Sequence, residues 1–197
     1  MILALLVAQA SAIEAEHAFA RMAQTKGQWT AFRAFAAPDA VMFAPQPVRA
    51  SAFLKGRRDP PASVAWSPAV SYVSCDGRWA VNTGSWTRPD RSVGYFSTVW
   101  RKRSDGRWRW LLDSGDTLAA PRIVPAHPFV RHAACGGAGR GNGFGAAPNG
   151  GYGASGDATL RWQWRIAADG ARTLSVELWN GAAYDRVIDD RVAAPAA

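Results

Sequence analysis

The apolar positions of this chain follow a helical period at first and a strand period later. Over residues 13–24, Phe19, Met22 and Ala23 share one helical face. Glu14, Glu16 and Arg21 are assigned to solvent, and Lys26-Gly27 closes the segment as a C-cap. Trp29, Phe32 and Phe35 recur three residues apart, which predicts a second short helix over 28–36. Pro38-Asp39 reads as a turn, 40–44 as a short apolar strand broken by Pro45 and Pro47, and 51–54 as one helical turn.

From residue 64 the period drops to two. Strands are predicted over 64–74, 79–87, 93–101 and 107–112, joined by Asp76-Gly77, Pro89-Asp90 and Asp105-Gly106, and they form a four-stranded antiparallel meander. Pro68 inside the first strand marks an edge or a bulge. In the last hairpin Phe96, Thr98 and Trp100 alternate with Tyr95, Ser97 and Val99. Beyond the turn, Trp108, Trp110 and Leu112 alternate with Arg109, Leu111 and Asp113. Alternation alone leaves open which face of this strand looks inward; an inward apolar face turns Asp113 away.

Residues 119–156 are rich in Pro, Ala and Gly and read as a linker, with a low-complexity tract over 136–156. Period two resumes at Thr159. Leu160, Trp162, Trp164 and Ile166 form one face, Leu174, Val176 and Leu178 another, and Asn180-Gly181 is a strong hairpin signal. Residues 157–197 are therefore expected to form a three-stranded meander whose oily face packs on the main sheet.

This order of elements, with the run Gly94, Thr98-Val99-Trp100, Asp105-Gly106, Trp108 and Asp113, resembles the NTF2-like superfamily and, within it, the SnoaL-like or DUF4440 group. The similarity covers roughly residues 13–116 and excludes the linker and the last meander. It implies an α+β cone, a curved antiparallel sheet wrapped around N-terminal helices, with the last meander added to it. The resembled family holds isomerases, dehydratases, cyclases and non-catalytic modules, so the fold does not give the function. Some relatives carry a His just before the last-strand Asp; here that place is Leu112.

Composition narrows this picture. The chain has 197 residues, enough for one domain and an appendage, and its ten Trp fall mostly in strand segments. The net charge of +8 comes from scattered Arg rather than a basic block, and reads as surface. Residues 1–12 form a short apolar run ending in Ala10-Ser11-Ala12. They read as a short signal peptide, with the first turn of helix 1 as the alternative. The expected location is periplasmic or secreted, otherwise cytoplasmic, and no segment is long enough to span a membrane. Cys75 and Cys135 are either a disulfide or two free thiols. The domain layout expected is 1–12 signal peptide, 13–118 main domain, 119–156 linker and 157–197 meander.

Candidate chemistry is sparse. Asp113 at the end of the last main strand is a candidate general base, or else a strand-end acceptor; Asp116 and Asp39 read as turn residues. A cone pocket is expected to be lined by Phe35, Phe43, Trp66, Trp86, Phe96 and Asp113, although ordinary core packing accounts equally for each aromatic. His17 reads as a partly exposed helix residue. His127, His132 and Cys135 lack a fourth ligand, so no metal and no cofactor are expected. The letters of Gly151–Gly156 match a dinucleotide fingerprint, but they precede a strand rather than a helix. Arg107–Trp110 and Arg161–Arg165 mix Arg and Trp, yet alternation puts the two on opposite faces, which disfavours nucleic acid. The first reading is an exported protein that binds a small apolar molecule in its cone, or a structural module. The alternative is a cofactor-independent isomerase, dehydratase or cyclase using Asp113. A homodimer is compatible with both, since convex-face dimers are common in the resembled family.

Overall fold

The computed structural model describes residues 11–138 and 149–195. Helix α1 (Ala12–Lys26) opens with a capping box: Ser11 Oγ accepts from the Glu14 backbone N–H, and the Glu14 carboxylate accepts from the Ser11 N–H. Ser11 and Ala12, expected in the leader, are thus part of this helix, whereas residues 1–10 lie outside the described residues. Helix α2 (Gln28–Phe35) follows across Gly27, whose φ of 107° is open to glycine. A side chain there would also strike the Asp59 carboxylate, which accepts from both Thr30 N–H and Thr30 Oγ1 in the first turn of α2.

One expectation fails on α1. Its buried stripe is Ala12, Ala15, Glu16, Phe19 and Ala23, so Glu16 is fully buried rather than solvated. The stripe has regular helical spacing, and Glu16 occupies a core position within it.

Strand β1 (Ala36–Phe43) begins earlier than expected and runs through Pro38-Asp39. It pairs in parallel with the last meander strand, and the register shifts between Ala36 and Val41, where Pro38 has no N–H to give. A hairpin leads to β2 (Pro47–Arg49) and then to α3 (Ala50–Leu54). The meander is β3 (Ala65–Val73), β4 (Trp79–Thr87), β5 (Val93–Lys102) and β6 (Trp108–Leu118). Strand β6 is longer than its apolar alternation predicted, which places Asp113 in mid-strand and Asp116 within the strand rather than in a turn.

The predicted linker is partly structured. Strand β7 (Phe129–His132) pairs in parallel with β3 and completes a seven-stranded sheet in the order β2-β1-β6-β5-β4-β3-β7. Strand β8 (Gly150–Ala154) comes from the glycine tract and joins β9 (Leu160–Ile166), β10 (Arg172–Trp179) and β11 (Tyr184–Val192). The C-terminal unit therefore has four strands, not three. Gly153 is needed there because a Cβ would lie 2.2 Å from the Trp162 ring. Cys75, after β3, is bonded to Cys135, after β7, with Cα atoms 5.2 Å apart.

The result is an α+β fold with a large, curved, mostly antiparallel sheet. The concave face packs on the helices through Phe19, Phe32, Phe35, Trp100, Trp108 and Trp110. The opposite face packs on the four-stranded sheet through Val81, Val99, Leu112, Leu160, Val176 and Leu178. Three glycines on adjacent strands let the sheet bend. A Cβ on Gly84, Gly94 or Gly115 would lie 2.0, 2.1 or 2.2 Å from the carbonyl oxygen of Ser67, Asp116 or Tyr95.

The two cores divide β6 in an unexpected way. Val99 pairs with Leu112, but Trp100 pairs with Trp110, so Leu111 is an extra residue in a β-bulge. Before the bulge, Trp108 and Trp110 face the helices. After it, Leu112 faces the C-terminal sheet and Asp113 takes the helix side.

Candidate functional site

Where the glycines bend the sheet, the helices do not fill the cone. A cavity of about 350 Å³ remains between α1, α2, the concave sheet face and one edge of β10, at the small end of the range for small-molecule sites. Phe19 and Phe32 wall it from the helices, Phe43 from β1, and Trp66, Trp86 and Phe96 from the meander. Trp66 and Trp86 are direct cross-strand partners, which puts both indoles on one face. Of the six residues expected at a pocket, five line this cavity; Phe35 instead lies in the core against Phe19 and Trp100.

Two carboxyl groups reach the cavity. Asp113 accepts one side-chain hydrogen bond, from Thr98 Oγ1 at 2.9 Å, and its cross-strand pairing with Thr98 fixes that contact. Burial among apolar walls raises its pKa from 3.8 to about 6, against the lowering effect of Thr98. Glu16 sits deeper. Its Oε1 accepts from Trp66 Nε1 at 2.9 Å, and its Oε2 from Trp100 Nε1 at 2.7 Å and Asn82 Nδ2 at 3.2 Å. Burial is again the largest effect and, with the nearby Asp113 charge adding to it, outweighs these three donors to raise the pKa from 4.5 to about 7. Burial thus holds both carboxyl groups toward the protonated form, and the Asp113 charge adds to that effect on Glu16. Two carboxyl groups of raised proton affinity in one apolar cavity are the parts of acid–base catalysis.

The mouth is basic. Arg172, on β10, donates from Nη2 to Gly115 O at 2.6 Å and from Nη1 to Pro45 O at 3.3 Å, with its guanidinium 4.9 Å from the Phe43 ring centre. Arg88 stacks on Trp86 at 4.2 Å and donates to Thr117 Oγ1 at 3.3 Å. Asp116 also lines this wall, its carboxylate accepting from the Thr117 N–H and its charge acting on Arg172.

The remaining candidates lie elsewhere. Asp39 is exposed on β1 and pairs with Arg101 at 3.4 Å. His17 is half-buried on α1 away from the cavity wall, and burial lowers its pKa. His127 and His132 are exposed, and Cys135 is committed to its disulfide rather than available as a thiolate ligand. Trp108, Trp110 and Trp162 are buried in the cores, not presented beside their neighbouring Arg side chains. Gly151–Gly153 lies in strand β8. No helix among the described residues is long and apolar enough to cross a membrane.

Sequence reasoning missed Glu16 and Arg172. A signal for Glu16 was present in its spacing with Ala12, Ala15, Phe19 and Ala23. None existed for Arg172, which reaches the cavity only because the C-terminal sheet docks beside β6.

No family model matches the chain, and no curated protein matches it. Among solved structures, the chain is similar to a Parabacteroides distasonis protein provisionally identified as a ketosteroid isomerase. The TM-score is 0.47 at 16% identity, and the match covers 58% of this chain and 93% of that one.

Proposed function

We propose that the cavity binds a small, largely apolar molecule and that Asp113 moves a proton on it without a cofactor, as in an isomerase, dehydratase or cyclase. The observation that carries this reading is a carboxylate facing an aromatic cavity with one hydrogen-bond donor and a proton affinity brought near neutrality by burial. In the step, Asp113 takes a proton from a carbon beside a carbonyl, and the electron pair moves onto the carbonyl oxygen. The protonated Asp113 then returns the proton to another carbon, or passes it to a departing hydroxide, which leaves as water. Glu16, whose proton affinity burial also raises, is a second acid in the same cavity. Binding without turnover is the second reading, favoured by the aromatic walls alone.

We place the main domain in the SnoaL-like group on its Gly94–Asp113 motif, and the protein in an oxidising compartment on its disulfide. Export then requires a cut that spares the Ser11 cap. Ala8-Gln9-Ala10 repeats the A-x-A pattern and allows cleavage after Ala10.

The test is conjugation of cyclic β,γ-unsaturated ketones, both steroid-like and polyketide-like, followed by absorbance. Asp113→Asn is expected to lower kcat by about 10²–10⁴ with an unchanged fold. Unchanged turnover in that variant, or none by the wild-type protein across the panel, would sink the catalytic reading.

A further inference from the structure

We infer that the natural ligand carries an anionic group, a carboxylate or its equivalent, held at the cavity mouth by Arg172 and Arg88, so that the C-terminal sheet forms part of the binding site. This rests on the reading of the cavity as a ligand site and adds the class of ligand. Three observations converge on it.

First, neither guanidinium has a carboxylate within ion-pair distance among the described residues, whereas Arg33, Arg101, Arg122 and Arg161 each have one. Arg172 is half-buried, and its hydrogen bonds go to two neutral carbonyl oxygens. Its Nε–H is buried and has no acceptor among the described residues. Asp116 offsets part of the cost of burying this cation from a distance beyond ion-pair range, and an incoming anion in direct contact offsets more of it. Second, the cation is held in place before any ligand arrives. Gly115 O and Pro45 O fix the guanidinium and the Phe43 ring supports it, while Trp86 and Thr117 hold Arg88. A planar fork fixed in this way suits a carboxylate or phosphate oxygen pair. Third, the charges along the cavity are ordered. The mouth carries two guanidiniums against Asp116, a net charge of +1, whereas the interior holds the two acids of raised proton affinity. We orient a molecule with an apolar ring body and one anionic end by these charges, ring against Trp66 and Phe96, anion outward. That orientation keeps the anion from Asp113 and presents the ring carbons to it.

The arrangement also gives the added sheet a role. Arg172 begins β10, and it is the one side chain of the four-stranded sheet at the cavity wall among the described residues.

The experiment titrates the intact protein with 2-naphthoate and with 2-naphthamide at neutral pH, following quenching of Trp66 and Trp86. The two probes share a ring body and differ in charge. Naphthoate is expected to bind about tenfold more tightly or better, as for a charge-assisted contact. Arg172→Gln is expected to remove most of that preference while naphthamide binding stays within about twofold, and Arg172→Lys to restore part of it. If Arg172→Gln loses naphthamide as well, the wall has collapsed, and Arg88→Gln at the exposed rim decides by the same ratio. Equal affinity for the two probes, or a preference unchanged in both Gln variants, overturns the anion site and leaves the cavity reading standing. Binding of neither probe overturns both.

Discussion

Burying an acid inside the cone links folding to pH, and Glu16 makes the size of that link calculable. Its pKa rises from 4.5 in an exposed chain to about 7 in the folded protein. The folded state therefore binds more protons than the unfolded state between those values, and stability falls as pH rises through the window. The contribution is fully present below about pH 4.5 and lost above about pH 7; the rise from 4.5 to about 7 corresponds to about 3 kcal/mol. That is a sizeable part of the 5–15 kcal/mol typical of a domain. Asp113 acts in the same direction. His17, whose pKa is lowered by burial, acts in the opposite one, gaining stability as pH rises. Both remain in Glu16→Gln, so the difference between wild type and variant reports Glu16 together with its interaction with Asp113. The variant also turns an amide N–H₂ toward an indole N–H, which adds a roughly pH-independent penalty. Urea unfolding followed by Trp fluorescence, with the disulfide intact, should show the wild-type advantage shrinking by about 3 kcal/mol from pH 4.5 to pH 8. A difference that is flat across that range, or that grows with pH, would refute the assignment of a buried, near-neutral acid at Glu16.

Two further outcomes follow from the packing. The Cys75–Cys135 bond closes a separation of 60 residues, for which loop entropy gives about 4 kcal/mol. Reduction should lower Tm by about 10 °C, and an unchanged Tm with both thiols titratable would remove the stabilising role. At Gly94, an added Cβ would lie 2.1 Å from Asp116 O and 2.2 Å from the Trp86 ring. Gly94→Ala should cost about 1–3 kcal/mol and shift Trp86 off the cavity wall; wild-type stability together with wild-type probe binding would contradict that placement.

The regular elements were legible because their signals are local. Helices α1 and α2, the meander strands and the Asp105-Gly106 and Asn180-Gly181 turns need only periodicity and turn chemistry, and they lie close to their expected bounds except at the end of β6, which runs on to Leu118. Strands β7 and β8 were not legible. The first is exposed and held by pairing with β3 and by the disulfide. The second is mostly glycine and is defined by the Trp rings of β9 across from it. Both are specified by partners far away in sequence, which a local pattern does not contain. Glu16 was misassigned for a related reason: its charge argued for solvent, and only the converging Trp66, Trp100 and Asn82 donors make its burial tolerable.

The sequence by itself determined that a long aromatic hairpin ends in a carboxylate, and that Phe43, Trp66, Trp86 and Phe96 could share a concave face. It could not determine where the carboxylate points, because strict alternation puts Asp113 opposite the face of Trp108 and Trp110. The bulge at Leu111 breaks that alternation and brings Trp110 and Asp113 to the same side of the sheet. A bulge is set by how two strands pair under the bend of the whole sheet, and the bend in turn depends on close carbonyl contacts at Gly84, Gly94 and Gly115. The identity of the acid was therefore local information, while its place in a cavity, beside Glu16 and under Arg172, came from contacts between segments that only the folded chain brings together.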